Sequence, residues 1–447
     1  MPARPNFDRT DPSQNEASIW RTTFRALAHR NFQLFFAGQL ISLIGTWMQS
    51  VAQSWLVYRL TGSSLLLGSV GFASQIPVFV LGAAGGAIAD RANRHRVVIT
   101  TQTASMILGF ILAWLTITHR VQVWHIFVLA ALLGVVNAVD IPARQSFLVD
   151  MVGKEDLMNA IALNSSMFNG ARIVGPAIAG LVVVTIGEGW CFFANAVSYL
   201  AVIAGLLMMR VHCPRRGSGK SPLEDIVEGF RFVNRTAPIR ALLLLLGLVS
   251  LVGMPYSVLM PVFAGKILHG GPRALGTLMG ATGVGAMLGA LVLASRTGAR
   301  GLGRWVGVSA ACFGLGLVLF SWSRSLLLST LLLLPVGFSM MLEMSSSNTL
   351  IQAMVPDHLR GRVMALYSMM FMGMAPFGAL FGGALAERFG APWTVTIGGV
   401  ACVAGAAFFT SRLETFRGEA RRLILAQQMV GGEPTGGINT RSTSSLV

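Results

Sequence analysis

Residues 162–180 read ALNSSMFNGARIVGPAIAG and residues 365–383 read ALYSMMFMGMAPFGALFGG. At a shift of 203 positions, Ala162-Leu163 fall on Ala365-Leu366, Ser165 on Ser368, and Met167-Phe168 on Met370-Phe371. Gly170, Gly175 and Gly180 fall on Gly373, Gly378 and Gly383. The register continues upstream without a gap, so that Gly134 meets Gly337 and Met151-Val152 meet Met354-Val355. A chain that superimposes on itself at a fixed offset is built from two copies of one unit.

Both copies are too apolar for a water-soluble domain. Of 447 residues, 53% are hydrophobic and 12% charged, and the charges gather in short breaks between apolar runs of roughly twenty residues, the length that crosses a bilayer. The runs predict spans over 33–58, 65–89, 97–118, 123–143, 157–186 and 189–210, then 239–263, 273–295, 305–323, 326–348, 362–386 and 391–411. The predicted fold is an all-α membrane protein of twelve transmembrane helices in two pseudo-symmetric six-helix bundles, 33–210 and 239–411. Six spans return the chain to the side it started from, so the repeats are parallel, related by an axis along the membrane normal.

Residues 1–32 read as a polar tail with no signal-peptide pattern. Residues 211–238 read as a linker with a surface helix, on which Ile226, Val227, Phe230 and Val233 recur at helical spacing. Residues 412–447 read as a frayed helix followed by disorder.

The formal charge of +16 raises the possibility of a nucleic-acid partner, which the distribution of charge removes. With the N-terminus inside, Arg59, Arg120, Lys266, Arg273, Arg324 and Arg388 fall on outer loops and Arg172 falls within a span. The other 27 of 34 basic residues fall on inner segments, as the positive-inside rule requires. The lipid bilayer is thus the expected partner, in a cell inner membrane with both termini cytoplasmic. Cys191, Cys213, Cys312 and Cys402 are scattered without paired spacing, which argues against a disulfide framework or metal site.

Under the same shift Asp140 meets Glu343, the two acids that look buried in spans. A carboxylate at mid-membrane costs about 2.5–3.5 kcal/mol, so two at equivalent depth imply a shared task or a shared inheritance. Arg172 is the intramembrane base. It competes with Arg144 as the partner of Asp140, while Arg144 has Asp90 as a second possible partner at the inner end. Span one carries Gln39, Ser42, Thr46, Gln49 and Gln53 at spacings of 3, 4, 3 and 4, one polar stripe. Span five carries Asn164, Ser165, Phe168, Asn169 and Arg172. These stripes face either a central substrate cavity or neighbouring helices, because lipid cannot satisfy them. Met369, Met370, Met372 and Met374 surround Phe371, pliable side chains that suit either varied apolar ligands or packing.

The break after span two reads GGAIADRANRHRV over 85–97. Gly86 suits close helix contact, Asp90 suits the start of a neighbouring helix, and Arg91, Arg94 and Arg96 anchor the turn. This loop resembles the signature of the major facilitator superfamily, with Asn93 standing where that family usually has Gly. NAVDIPARQSFLVDMV at 137–152, NAIALNSSMFNGARIVGPAIAG at 159–180 and VPDHLRGRVMALYSM at 355–369 resemble its drug and siderophore exporter branch, which includes enterobactin exporters and macrolide efflux proteins. The resemblance runs from about Phe32 to Arg412 and implies the major facilitator fold. It also implies an antiporter-type Gly-Pro element at Gly175, Pro176 and Gly180, of which the second half keeps Gly378 but has Ala379 in place of proline. Monomeric function is the family norm.

No GxxxxGK[ST], HExxH or GxSxG motif is present, so neither ATP hydrolysis nor another enzymatic reaction is expected, and no cofactor is implied. The sequence therefore points to a secondary transporter with a small-molecule substrate. The favoured reading is proton-coupled efflux of an amphipathic drug-like compound or siderophore by alternating access, with Asp140, Glu343 and Arg172 as coupling candidates. The alternatives are a nutrient importer or lysolipid flippase of the same fold, and a non-transporting membrane scaffold or sensor.

Overall fold

A computed structural model describes residues 24–209, 211, 222–296, 298 and 301–430. Among these residues there is no strand, and twelve helices are long and apolar enough to cross a membrane. In chain order, spans one to six are Arg30–Thr61, Ser64–Ala89, Arg94–Ile117, Val123–Val152, Leu157–Thr185 and Glu188–Leu207. Spans seven to twelve are Ala237–Ile267, Gly271–Ala294, Leu302–Trp322, Leu326–Met354, Asp357–Phe389 and Ala391–Ser411.

Several helices outrun the apolar segments that predicted them. Span four continues past 143 to Val152 and span ten past 348 to Met354. The overhangs carry Arg144, Gln145 and Asp150, and Gln352. Polar side chains end an apolar run without ending the backbone hydrogen bonding, so hydropathy reports hydrocarbon thickness rather than helix length.

Two spans are interrupted. Span seven passes through π-helical turns at Val249–Gly253 and Phe263–Ile267, with Pro255 and Pro261 between them. Span eleven breaks at Gly373, three residues before Pro376. The Ser250 hydroxyl donates to the Phe371 carbonyl, so one interrupted helix satisfies a backbone group at the break of the other.

The chain divides into two compact units. One contains the described residues up to Gly62, those from Ala73 to the linker, and His269–Gly283; the other contains Ser63–Phe72, the linker helix onward to Leu268, and Val284 onward. They follow the two predicted bundles except at the first turns of spans two and eight, which pack with the opposite bundle. Gly68 lies against Gly383, where an added Cβ would stand 3.0 Å from the Gly383 Cα, and Gly276 lies against Pro176 and Gly180.

The repeated glycines have a repeated use. A Cβ on Gly175 would stand 2.5 Å from Trp47 Cβ of span one, and one on Gly378 2.6 Å from the Leu251 carbonyl of span seven. Each half thus needs a glycine where its fifth helix crosses its first.

The linker helix, Pro222–Arg235, buries Val233 and exposes Val227 and Phe230, while Glu228 pairs with Arg362 at 2.6 Å. The Ile226 side chain lies outside the described residues. After span twelve the chain forms a helix over Leu413–Val430; residues beyond 430 and Cys213 also lie outside the described residues.

Candidate transport site

Asp140 is 2% exposed and saturated with partners. It accepts from Thr101 Oγ1 at 2.6 Å and from Gln102 Nε2 at 3.0 Å, both on span three, and pairs with the Arg144 guanidinium at 3.2 Å. Of the two cations that competed for it, Arg144, one turn along the same helix, is the one in contact. Arg172 instead lies over the Trp47 ring, 5.7 Å from its centroid. Phe168 meets the same ring edge-on at 5.6 Å. Trp47 is thereby held between a cation and an aromatic ring, both from span five.

Glu343 is equally buried, at 1% exposure, and its surroundings are opposite. Among the described residues its Oε1 has no hydrogen-bond partner, and neither do the Ser346 and Ser347 hydroxyls. Tyr367 of span eleven donates to the Met344 carbonyl at 2.9 Å, fastening span eleven beside the acid. The 203-residue shift places Ser347 on Arg144. The first acid carries its cation one turn away; the second carries a hydroxyl there. That contrast is legible in the sequence, at the position four residues after each acid.

The span-one stripe divides between an interface and an open face. Gln39, Ser42 and Gln49 are buried, with Gln49 Oε1 accepting from Asn195 of span six at 2.7 Å. Gly38 and Gly45 let the two helices close on each other. Thr46 is exposed, and its hydroxyl donates to the Ser42 carbonyl, while Gln53 is half-buried. The buried part is interhelical contact, because span six supplies the polar partner that lipid cannot. On span five, Ser165 and Phe168 are exposed and Asn164, Asn169 and Arg172 half-buried, with the Asn169 amide donating to the Ser165 carbonyl. This face and Trp47 form the accessible polar-aromatic patch of the first unit.

In the loop between spans two and three, Gly85 rather than Gly86 makes the close approach. A Cβ on Gly85 would overlap the Ala138 carbonyl of span four, whereas one on Gly86 would meet only Pro142 Cβ at 4.0 Å. Consecutive helical residues point about 100° apart, so only one of the pair can press on the span-four backbone. Arg94 is buried and pairs with Asp150 at 3.1 Å, tying span three to span four. Arg91 is exposed, and the Asp90 side chain lies outside the described residues. Asn93, where the family usually has Gly, sits at φ −72° and its side chain accepts from the Arg96 backbone at 3.3 Å. The turn therefore caps span three without a left-handed residue.

A family model described as transmembrane secretion effector matches residues 21–434. The chain belongs to that family of the major facilitator superfamily. Among its curated relatives, the staphyloferrin A transporter of Staphylococcus aureus is 28% identical, covering 85% of this chain and 96% of its own. The multidrug efflux pump Tap of Mycolicibacterium fortuitum is 28% identical over 77% and 87%, and the enterobactin exporter EntS of Shigella boydii 25% over 79% and 85%. Among solved structures, a point mutant of the nucleoside transporter NupG superimposes with a TM-score of 0.71 at 14% identity, covering 86% of this chain and 99% of that one. The family member described here is thus a multi-pass membrane transporter, not an enzyme, with a small molecule as its substrate class.

Proposed function

We propose that the protein is a proton-coupled exporter of an amphipathic small molecule, siderophore-like or drug-like, working by alternating access with both termini cytoplasmic. The Glu343 carboxylate, buried and with an Oε1 that no donor reaches in hydrogen-bond geometry, carries this reading. A group that gains and loses a proton during a cycle needs an environment in which neither form is already locked. Asp140, bonded by Thr101, Gln102 and Arg144, serves as a structural anion. Glu343 has the freedom to be loaded.

The substrate reading rests on relatives named for siderophores and multidrug efflux and on the patch of Trp47, Phe168 and Arg172. An aromatic face beside a guanidinium suits a molecule with both apolar and anionic or electron-rich parts. Asn164, Ser165 and Asn169 add adaptable hydrogen bonds.

The test is uptake of a labelled siderophore and drug panel into everted vesicles under an imposed proton gradient. Gradient-driven uptake that is lost in Glu343→Gln and kept, in proportion to folded protein, in Asp140→Asn supports the proposal. Uptake that survives Glu343→Gln removes Glu343 from the coupling step.

A further inference from the structure

Hydroxyls within membrane helices ordinarily satisfy themselves by bonding to the carbonyl three or four residues back. Thr46, Thr61, Ser69, Thr103, Thr116, Thr282 and Thr349 all do so here. Ser346 and Ser347 do not, although both are fully buried. They stand three and four residues beyond Glu343, on its face of the helix. Three buried oxygens that make no well-formed hydrogen bond to the rest of the protein, one of them a carboxylate oxygen with the Ser347 hydroxyl beside it, therefore share one turn of span ten.

In the duplicated half the corresponding turn holds Asp140 and Arg144, with opposite charges 3.2 Å apart. At the equivalent positions the second half has an acid and, where the first half has the cation, a hydroxyl. We infer that Glu343, Ser346 and Ser347 form a binding site for a hard monovalent metal cation, of the class of sodium, which takes the electrostatic place of Arg144. Hard cations are held by carboxylate and neutral oxygens, and a carboxylate at this depth is stabilised by any positive charge that reaches it. The inference deepens the reading above and rests on it for the role of Glu343; it adds that sodium and the proton compete for one carboxylate.

The titratable side chains that sense this carboxylate are Tyr367 of span eleven and Cys402 of span twelve. The charged residues of spans seven and nine, Arg240, Lys266 and Arg304, lie near helix ends. Glu343 is eleven residues inside the end of span ten, roughly 16 Å at 1.5 Å per residue.

Equilibrium binding of radioactive sodium to the full chain in nanodiscs, with choline as the balancing cation, tests the site. One saturable site is expected at about pH 8, with its half-saturation concentration raised at least about tenfold at about pH 6 by proton competition. Glu343→Gln should abolish it, Ser346→Ala with Ser347→Ala should raise half-saturation at least about tenfold by removing two ligands, and Ser347→Arg should abolish it by supplying the fixed cation. No saturable binding at the higher pH, or binding unchanged in Glu343→Gln, overturns the inference; binding unchanged in the double serine variant overturns the ligand set. Sodium-free, proton-driven transport measured in parallel separates the two readings. Glu343-dependent transport without sodium binding leaves the exporter standing and removes the sodium site, whereas sodium binding with Glu343-independent transport removes the coupling role alone.

Discussion

Asp140 and Arg144 stand one turn apart on span four with a guanidinium nitrogen 3.2 Å from a carboxylate oxygen, the acid buried and the side chain of the base 26% exposed. Breaking a buried pair from one side costs about 3–5 kcal/mol, because the remaining charge is stranded. Arg144→Ala should fall near or below the lower figure, since Thr101 and Gln102 still bond the acid. Asp140→Asn with Arg144→Gln should cost less than the sum of the single changes. Thermal melts in detergent check this, and strict additivity would show that the two residues are not coupled.

Glu343→Gln should behave oppositely. No cation pairs with this acid and its Oε1 has no hydrogen-bond partner among the described residues, so the amide should match or exceed the wild-type melting temperature while transport falls. A clear loss of stability would show that the carboxylate is structurally bonded.

Gly85→Ala and Gly86→Ala are neighbours with different expected outcomes. The first must displace the Ala138 carbonyl and the second makes only an ordinary contact with Pro142 Cβ, so the first should cost about 1–3 kcal/mol and the second well under that. Equal melting temperatures would contradict the packing of span two on span four.

Glu387 Oε2 accepts from the backbone N–H groups of Ser64 at 2.7 Å and Leu65 at 3.1 Å and from the Ser63 hydroxyl. It caps the start of span two from the end of span eleven. Glu387→Ala should cost at most about 1 kcal/mol, because the acid is exposed, yet it should free the first turn. Labelling of a cysteine introduced at Ser64 by a charged thiol reagent should rise several-fold, and an unchanged rate would show that Gly68 and Gly383 hold the turn without the cap.

Trp47→Leu should raise the apparent KM for transported compounds and leave the maximal rate nearly unchanged, since it removes a binding face and no proton carrier. Arg172→Lys should reproduce part of the effect, because an ammonium keeps the charge but loses the planar stack. A flux panel in vesicles reads both.

The twelve spans and the duplication were legible because hydrocarbon thickness writes itself as apolar runs and helix crossings demand glycine at fixed positions, as at Gly175 and Gly378. The partner of Asp140 was not legible. Arg144 reaches it along one helix and Arg172 across two, and spacing permits both. Burial of Gln39, Ser42 and Gln49 depended on the identity of the neighbouring helix, which one polar stripe does not specify; Asn195 of span six answers Gln49. Trp47 was not legible either, because an aromatic residue in a span reads as lipid-facing until Arg172 and Phe168 are placed around it.

Span seven carries two π-helical turns where span one is unbroken. A π-turn bonds i to i+5 and so accommodates one more residue than an α-turn. The seventh helix therefore holds slack in its winding. Deleting a single residue from Phe263–Ile267 would let the segment rewind as ordinary α-helix with its flanking contacts in place, a change that no uniformly wound span could absorb without rotating its remaining residues by about 100°.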